Sequence, residues 1–541
     1  MDKIKSSSFL RGTVLLSLSV VITKIIGVAF KVPLSYILGD VGMGYFNTAY
    51  AIYGFFYILC TAGVPKSVTL ILTGHGALCT TEGDKHFVLN RALRLFLIVG
   101  AIATLINLTC APALARLVGN RQSLLSIIAV APSIVFVSAS GVLRGYLNSC
   151  ERLSAIAISQ LIEGVIKLIF GLLLAILGVK ISASLSIVSA LAISGITLGS
   201  MVSLSYLLIM YYNYNTDDNT RQKHGIDLRN IRWAILKRAL PIAICSSVLN
   251  LSSVLDLTMI IKRLTDVGES EIQANALYGN YTTLAVPMFT LVVSVLYPVA
   301  TSYMPRLSTF AVNGDVKNFE SYLSKLLCIT LLITVPASMA FYFYSFDLLD
   351  VLFSVNSSAV GADMLICLSL GLGSLTVLNV ANTALESQGR IKITVASLLV
   401  GALTKFAVSY LLIGKSGIGI LGAPLGTVAS YTVSLAVSLF ALEISGIRTR
   451  VVRMMALTYV IGTVSFLLPY KAVYSSGLTT RSSFLAMIIS LAISCSIYVL
   501  LLCVWYLIFN RCECLLCTKK NTLRYEIGRF FGKCDEKGCN F

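Results

Sequence analysis

The sequence predicts an all-α membrane protein of about 14 transmembrane helices, built as two pseudo-symmetric six-helix bundles with two further helices at the C-terminal end. Three observations carry this. The chain of 541 residues is 57% hydrophobic and 12% charged, with a mean hydropathy of +0.86, whereas a soluble globular chain is about 25% charged. Its apolar runs are continuous and ~20 residues or longer, the length of a helix crossing a ~30 Å hydrocarbon core rather than of an alternating barrel strand. Finally, one segment recurs at a fixed offset.

That recurrence pairs Val142 to Lys167 with Val380 to Lys405, without a gap, at an offset of 238 residues. Among the matching positions are Arg152 with Arg390, Ser159 with Ser397 and Lys167 with Lys405. Charged residues that keep register within apolar sequence are informative. Pro65-Lys66 and Pro305-Arg306 also fall at corresponding helix ends. The implied repeat is parallel, its axis along the membrane normal.

Taken in order, the expected spans are residues 10–34, 46–72, 92–114, 123–143, 154–178 and 182–212, then 239–263, 278–304, 322–344, 361–385, 391–413 and 417–443, and finally 452–470 and 483–509. A short glycine-bearing loop from Leu38 to Gly44 joins the first two. The expected domains are an N-terminal bundle (1–212), a basic linker (213–238), a C-terminal bundle (239–445), an added helix pair (446–510) and a basic tail (511–541).

The net charge of +18 would suggest a nucleic-acid partner in a soluble chain. Here Lys and Arg gather in the N-terminus, in alternate loops and in the tail, which predicts both termini on the cytoplasmic side of a cell membrane. No nucleic-acid partner is expected. The start of the chain is basic, but Lys24 interrupts the apolar run and no small-x-small cleavage site follows, so the first span is expected to stay as an anchor. The tail carries Cys512, Cys514, Cys517, Cys534 and Cys539. Their spacing is not that of a zinc site, and they are read as reduced thiols, with acylation as the alternative. No metal or other cofactor is expected.

The candidate site residues are charges placed where a bilayer should be. Lys24 lies near the middle of the first span. Lys31 is seven residues on and shares its helix face, with Gly27 beside them. Lys66 ends the second span. A charge at mid-membrane costs at least ~2.5–3.5 kcal/mol on insertion scales, so three in two neighbouring spans suggest a wet cavity or an anionic ligand. Lys31 and Lys66 can also snorkel to the interfaces. Lys262 and Arg263 sit at the other end of the seventh span. A second set reads as ion-coupling residues or structural charge pairs: Asp256, Glu163, Lys167 and Lys405. Glu163 and Lys167 are four apart and can neutralise each other. Asp256 shares a side with Arg263, and a buried pair with a lysine from another span is open to it.

The stretch ITKIIGVAFKVPLSYILGDVGMGYFNTAYAIYGFFYILCTAGVPKSVTLIL resembles the opening of the stage V sporulation protein B and polysaccharide-biosynthesis flippase family. That family sits in the multidrug/oligosaccharidyl-lipid/polysaccharide exporter superfamily, alongside lipid II flippases and MATE-type extruders. RGYLNSCERLSAIAISQLIEGVIKL and ALESQGRIKITVASLLVGALTK are further similar stretches, and the resemblance spans residues 8–445. It implies two six-helix bundles around a central cavity, alternating access, and an undecaprenyl-pyrophosphate-linked sugar as cargo. It also places Lys24 at the position of the first-span basic residue that engages the head group in lipid II flippases. The second-span arginine of those proteins is absent from FFYILCTAGVP, which favours the sporulation and polysaccharide branch.

The expected function is therefore export of a lipid-linked oligosaccharide for cell wall, spore cortex or other polysaccharide. Its partners would be that lipid, the bilayer and possible cell-wall synthesis proteins. A cation-coupled drug antiporter of the same superfamily is the alternative. A glycan polymerase or a non-transporting scaffold follows. An enzyme is not expected, because the outer loops are short and the three histidines, His75, His86 and His224, lack metal-like spacing.

Overall fold

A computed structural model describes residues 2–61, 64–73, 82–150, 152–215, 254–353, 355–415, 417–444, 451–475 and 483–514. All regular structure among them is helical. The helices are α1 (Asp2–Thr61), α2 (Val64–Thr73), α3 (Glu82–Leu117), α4 (Leu124–Val130), α5 (Ser133–Ser149), α6 (Leu153–Lys180) and α7 (Leu185–Asn215). They continue as α8 (residues 254–266), α9 (Glu271–Asn280), α10 (Val286–Val312), α11 (Val316–Phe343), α12 (Ser345–Leu352), α13 (Val355–Ser387), α14 (Ile391–Ile413) and α15 (Gly422–Ile444). The last two are α16 (Val451–Ser475) and α17 (Ser483–Cys514). Two compact units result, Met1–Arg450 and Val451–Phe541. The linker 213–238 lies almost wholly outside the described residues, and the tail beyond Cys514 entirely so.

Twelve helical segments among the described residues are long and apolar enough to cross a membrane. Long helices such as α3, α6 and α14 expose rows of large apolar side chains, among them Ile98, Ile102 and Leu105, then Leu173 and Leu177, then Leu403 and Leu411. Rows of that kind would be a liability in water. Facing lipid, they need no cover.

The count differs from 14 for two reasons. The seventh expected span falls largely outside the described residues. In addition, the first two merge into one segment, Leu18–Thr61. The expected loop from Leu38 to Gly44 is not a loop. The chain is helical on both sides of Gly39, whose φ of 61° and ψ of −176° make the break. As one straight helix the 44 residues would span about 66 Å, twice a hydrocarbon core. The chain instead doubles back at Gly39, because the rings of Phe30 and Phe46 have centroids 5.8 Å apart. Sixteen residues of straight helix would separate those positions by about 24 Å. Only glycine adopts this backbone conformation readily.

Helix contacts in the first unit rest on small residues. Gly195 and Gly199 of α7 form a GxxxG pair against α6: a β-carbon on Gly195 would lie 2.6 Å from the Gly171 α-carbon, and one on Gly199 2.7 Å from the Glu163 carbonyl oxygen. The second half repeats the device, since Gly422 and Gly426 of α15 press on Ile413 and on the Lys405 and Ser409 turn of α14. Such pairs let backbones approach in lipid, where no hydrophobic drive brings helices together. The recurring segment takes the same shape in both places. Arg152 and Arg390 precede their helices with φ, ψ of −89°, 56° and −90°, 40°. Each donates its backbone N–H to the carbonyl five residues back, on Leu147 and Leu385, at 2.9 Å.

α1 and α9 meet in a second close contact. A β-carbon on Gly44 would stand 2.4 Å from the Asn275 carbonyl oxygen, and one on Gly279 2.7 Å from both the Asp40 carbonyl oxygen and the Gly44 nitrogen. Beside it, Asn47 donates to the Thr283 hydroxyl at 2.7 Å and Asn120 to the Thr48 hydroxyl at 2.9 Å. Backbone cannot yield as a side chain does, so a Gly279→Val substitution is expected to hold α9 off α1. Spin labels at Tyr36→Cys and Ile272→Cys, both exposed positions, will then show a longer, broader distance distribution than in the Gly279 parent. An unchanged distribution would contradict the tight packing.

In the second unit, α16 and α17 pair, and Phe466 and Tyr498 are buried.

Candidate functional site

The first arm of α1 presents two faces. Ser19, Thr23, Ile26 and Phe30 form one, packed on α6: the Ser19 hydroxyl reaches Gln160 at 3.4 Å, Gly164 lies under Thr23 and Ile26, and Gly171 under Phe30. Lys24, Gly27 and Lys31 form the other, about 100° away by helical geometry. Lys24 is exposed, and a β-carbon on Gly27 would meet nothing within 4 Å. Lys31 reaches across to the second half of the unit and donates to the Thr282 carbonyl oxygen at 2.7 Å.

That carbonyl is available because the chain between α9 and α10, Tyr281–Ala285, is a π-helical turn. There Val286 donates its N–H to the Tyr281 carbonyl, the i→i+5 register of a π-helix, and the donor due to Thr282 in that register would be Pro287, which has no N–H.

Lys167 of α6 approaches the same region from the other side. Its Nζ lies 5.3 Å from the centre of the Phe30 ring and 5.7 Å from that of Tyr50, on the second arm of α1. Three ammonium groups thus gather around α1. The carboxylate expected to neutralise Lys167 is engaged elsewhere. Glu163 pairs with Arg144 of α5 at 2.8 Å, side-chain exposures being 24% and 12%. The Arg144 guanidinium also donates to the hydroxyls of Ser159 and Ser203, both at 3.2 Å, and Tyr57 stands beside it. The i,i+4 pairing of Glu163 with Lys167 is therefore corrected: a guanidinium offers planar, multiple donation that an ammonium cannot.

Arg144 is the residue that sequence reading missed. Hydropathy ends the fourth span at residue 143, but α5 runs on to Ser149 and carries the charge inside a candidate span, Arg121–Ser149. Its position, directly after the expected end of a span and inside the recurring segment, was the available signal.

The remaining candidates separate. Asp256 of α8 forms an ion pair with Lys405 of α14, near the phenols of Tyr278, Tyr281 and Tyr431. Arg263 does not join Asp256. It stacks on Tyr410 at 4.2 Å, donates to the Tyr410 carbonyl at 3.3 Å and meets Asp266 at 3.3 Å. Lys262 is exposed on α8. Lys66 lies in α2, its side chain outside the described residues. No group of three or more His, Cys, Asp or Glu side chains able to hold a metal occurs among the described residues.

The chain resembles known membrane transporters along most of its length. Its structure matches "Lipid II flippase MurJ, inward closed conformation" with a TM-score of 0.64, at 15% identity over 91% of this chain and 99% of that one. It matches an inward-facing MATE-family multidrug transporter with a TM-score of 0.61, at 13% identity over 80% and 98%. Among curated proteins of Bacillus subtilis, it is 25% identical to the uncharacterised membrane protein YabM over 80% of both chains. It is 22% identical to stage V sporulation protein B over 78% of this chain and 81% of that one. The family profiles, together with the membrane-spanning helical fold, identify a multi-pass transporter of the multidrug/oligosaccharidyl-lipid/polysaccharide exporter superfamily, not an enzyme. Within that class the chain belongs to the polysaccharide biosynthesis protein family, whose profile matches residues 9–311; the MatE profile matches residues 280–411.

Proposed function

We propose that this protein is a flippase for a lipid-linked, diphosphate-bearing sugar, moving it from the inner to the outer leaflet of a bacterial cell membrane by alternating access. The observation that carries the reading is the pair of ammonium groups, Lys24 and Lys31, on one face of α1 beside the open Gly27, with the nearby carboxylate of Glu163 already held by Arg144. Like charges in a membrane need a counter-charge. A phosphate-bearing head group supplies it, and ammonium groups, as strongly hydrated point charges, can release it again. Undecaprenyl-pyrophosphate-linked sugar is the cargo this chemistry fits, for cell wall, spore cortex or other polysaccharide. The lipid II flippase MurJ of Bacillus subtilis, 22% identical over 79% of this chain and 81% of that one, supports the lipid-linked class.

In this reading the chain crosses the membrane 14 times with both termini inside. Residues 1–212 and 239–445 rock against each other across the Gly44–Gly279 contact, and residues 446–510 add two helices. Lys24 binds the head group first, with Lys66, Lys262 and Arg263 as further basic contacts along the path. The antiporter alternative would need a free carboxylate for its cation. Asp256 and Glu163, the two acids it would use, are paired with Lys405 and Arg144.

Purified protein in liposomes tests the proposal. A fluorescent undecaprenyl-diphosphate-linked sugar is expected to become accessible to an external quencher in a protein-dependent manner, while a lipophilic cation is not moved. Transport of the cation alone would reject the flippase.

A further inference from the structure

The flippase reading leaves Lys167 without a task. Its backbone is fixed: β-carbons on Gly195 and Gly199 of α7 would stand 3.0 Å from its carbonyl oxygen and 3.3 Å from its nitrogen, so α6 cannot rotate there without a clash. Its ammonium is held over two rings, Phe30 and Tyr50. Ring faces attract a cation but accept little from its three N–H donors. No hydrogen-bond acceptor or carboxylate takes those donors among the described residues. Glu163, one turn away, gives its oxygen to Arg144. Lys31 uses one donor on Thr282, which leaves it others, and Lys24 is exposed.

Two ammonium groups on one face of α1 balance the two charges of a diphosphate diester, but they would serve a single phosphate almost as well. A third cation on a different helix changes that. Held over Phe30 and Tyr50, it offers a second point of attachment that a ligand with two phosphates can use.

We propose that Lys167 makes the site selective for diphosphate over monophosphate carriers: Lys24 and Lys31 take one phosphate, and Lys167, cradled by Phe30 and Tyr50, takes the other. This rests on the flippase reading and names its specificity residue. The aromatic cradle positions the ammonium without consuming its donors, so the group stays ready for a ligand.

The test uses full-length protein in detergent and two probes that differ by one phosphate: farnesyl-diphosphoglucose and farnesyl-phosphoglucose. The wild type is expected to prefer the diphosphate by about tenfold or more, the scale of one charge-assisted contact. Lys167→Gln should cut that preference to about threefold or less while leaving monophosphate binding within about twofold. Lys167→Arg should restore it, and Lys167→Met serves in place of the Gln variant if that one does not fold. A preference unchanged by loss of the Lys167 charge would overturn the assignment and leave the flippase reading standing. Failure of the wild type to bind either lipid would overturn both. Inorganic pyrophosphate is the third arm. Displacement of the farnesyl-diphosphoglucose by equimolar pyrophosphate would mean a site for free diphosphate rather than for a lipid-linked one, and would also overturn the proposal.

Discussion

Replacing Lys24 by Ala is expected to abolish lipid transport while leaving the protein folded and inserted. Lys24 makes no ion pair among the described residues and lies on the open face of α1 beside Gly27. Its removal therefore breaks no internal contact that would report as instability. A hydrogen bond to a charged group contributes about 1.5–3 kcal/mol, which corresponds to a loss of about 10- to 100-fold in head-group affinity. If the same contact also holds the head group during passage, turnover falls with affinity. The measurement is protein-dependent flipping in liposomes, with expression level and elution profile as controls. Normal flipping by the variant would remove Lys24 from the site. Lys24→Arg is expected to retain transport in part, since the charge remains while its fork geometry differs.

The class of the fold was legible in the sequence because hydropathy and length act locally along the chain. The duplicated turn was legible too, since Arg152 and Arg390 kept register and take nearly the same backbone angles. The shared face of Lys24 and Lys31 followed from helical spacing alone. Partnerships between helices were not accessible in the same way. Lys405 meets Asp256 across 149 residues, and Lys31 meets Thr282 across 251. The second of these depends on a π-helical turn that side-chain pattern does not announce. The Leu38 to Gly44 stretch was read as a loop because it holds three glycines, yet one of them, Gly39, makes the reversal. Gly44 instead serves the approach of α9, a role visible only once both helices are placed. The GITLG and GAPLG patterns, by contrast, were passed over in the sequence, although small-xxx-small spacing is a helix-packing signal and both hold α6 and α14 in place.

Glu163→Ala is expected to destabilise the protein by about 3 kcal/mol, near the lower end for breaking a buried ion pair, because both groups keep some exposure. The loss leaves the Arg144 guanidinium, only 12% exposed, with the hydroxyls of Ser159 and Ser203 and no counter-charge. Guanidinium cannot shed its proton to escape, as a buried lysine can. Replacing both partners, in Arg144→Met with Glu163→Leu, removes the charge along with its need, and should cost less than the sum of the two single changes. Heating the detergent-solubilised variants and following loss of the monodisperse species measures this. A strictly additive result would mean that the pair contributes no coupling. If Glu163 instead carried a coupling proton or cation, Glu163→Gln would lose transport beyond what its loss of stability accounts for, because the amide keeps the shape and still accepts from Arg144 but cannot carry the charge. A structural pair predicts the opposite order: stability falls first, and transport in the surviving fraction stays near that of the wild type. The partition between those two readouts decides whether the second charge cluster of the N-terminal half holds the helices together or drives the cycle.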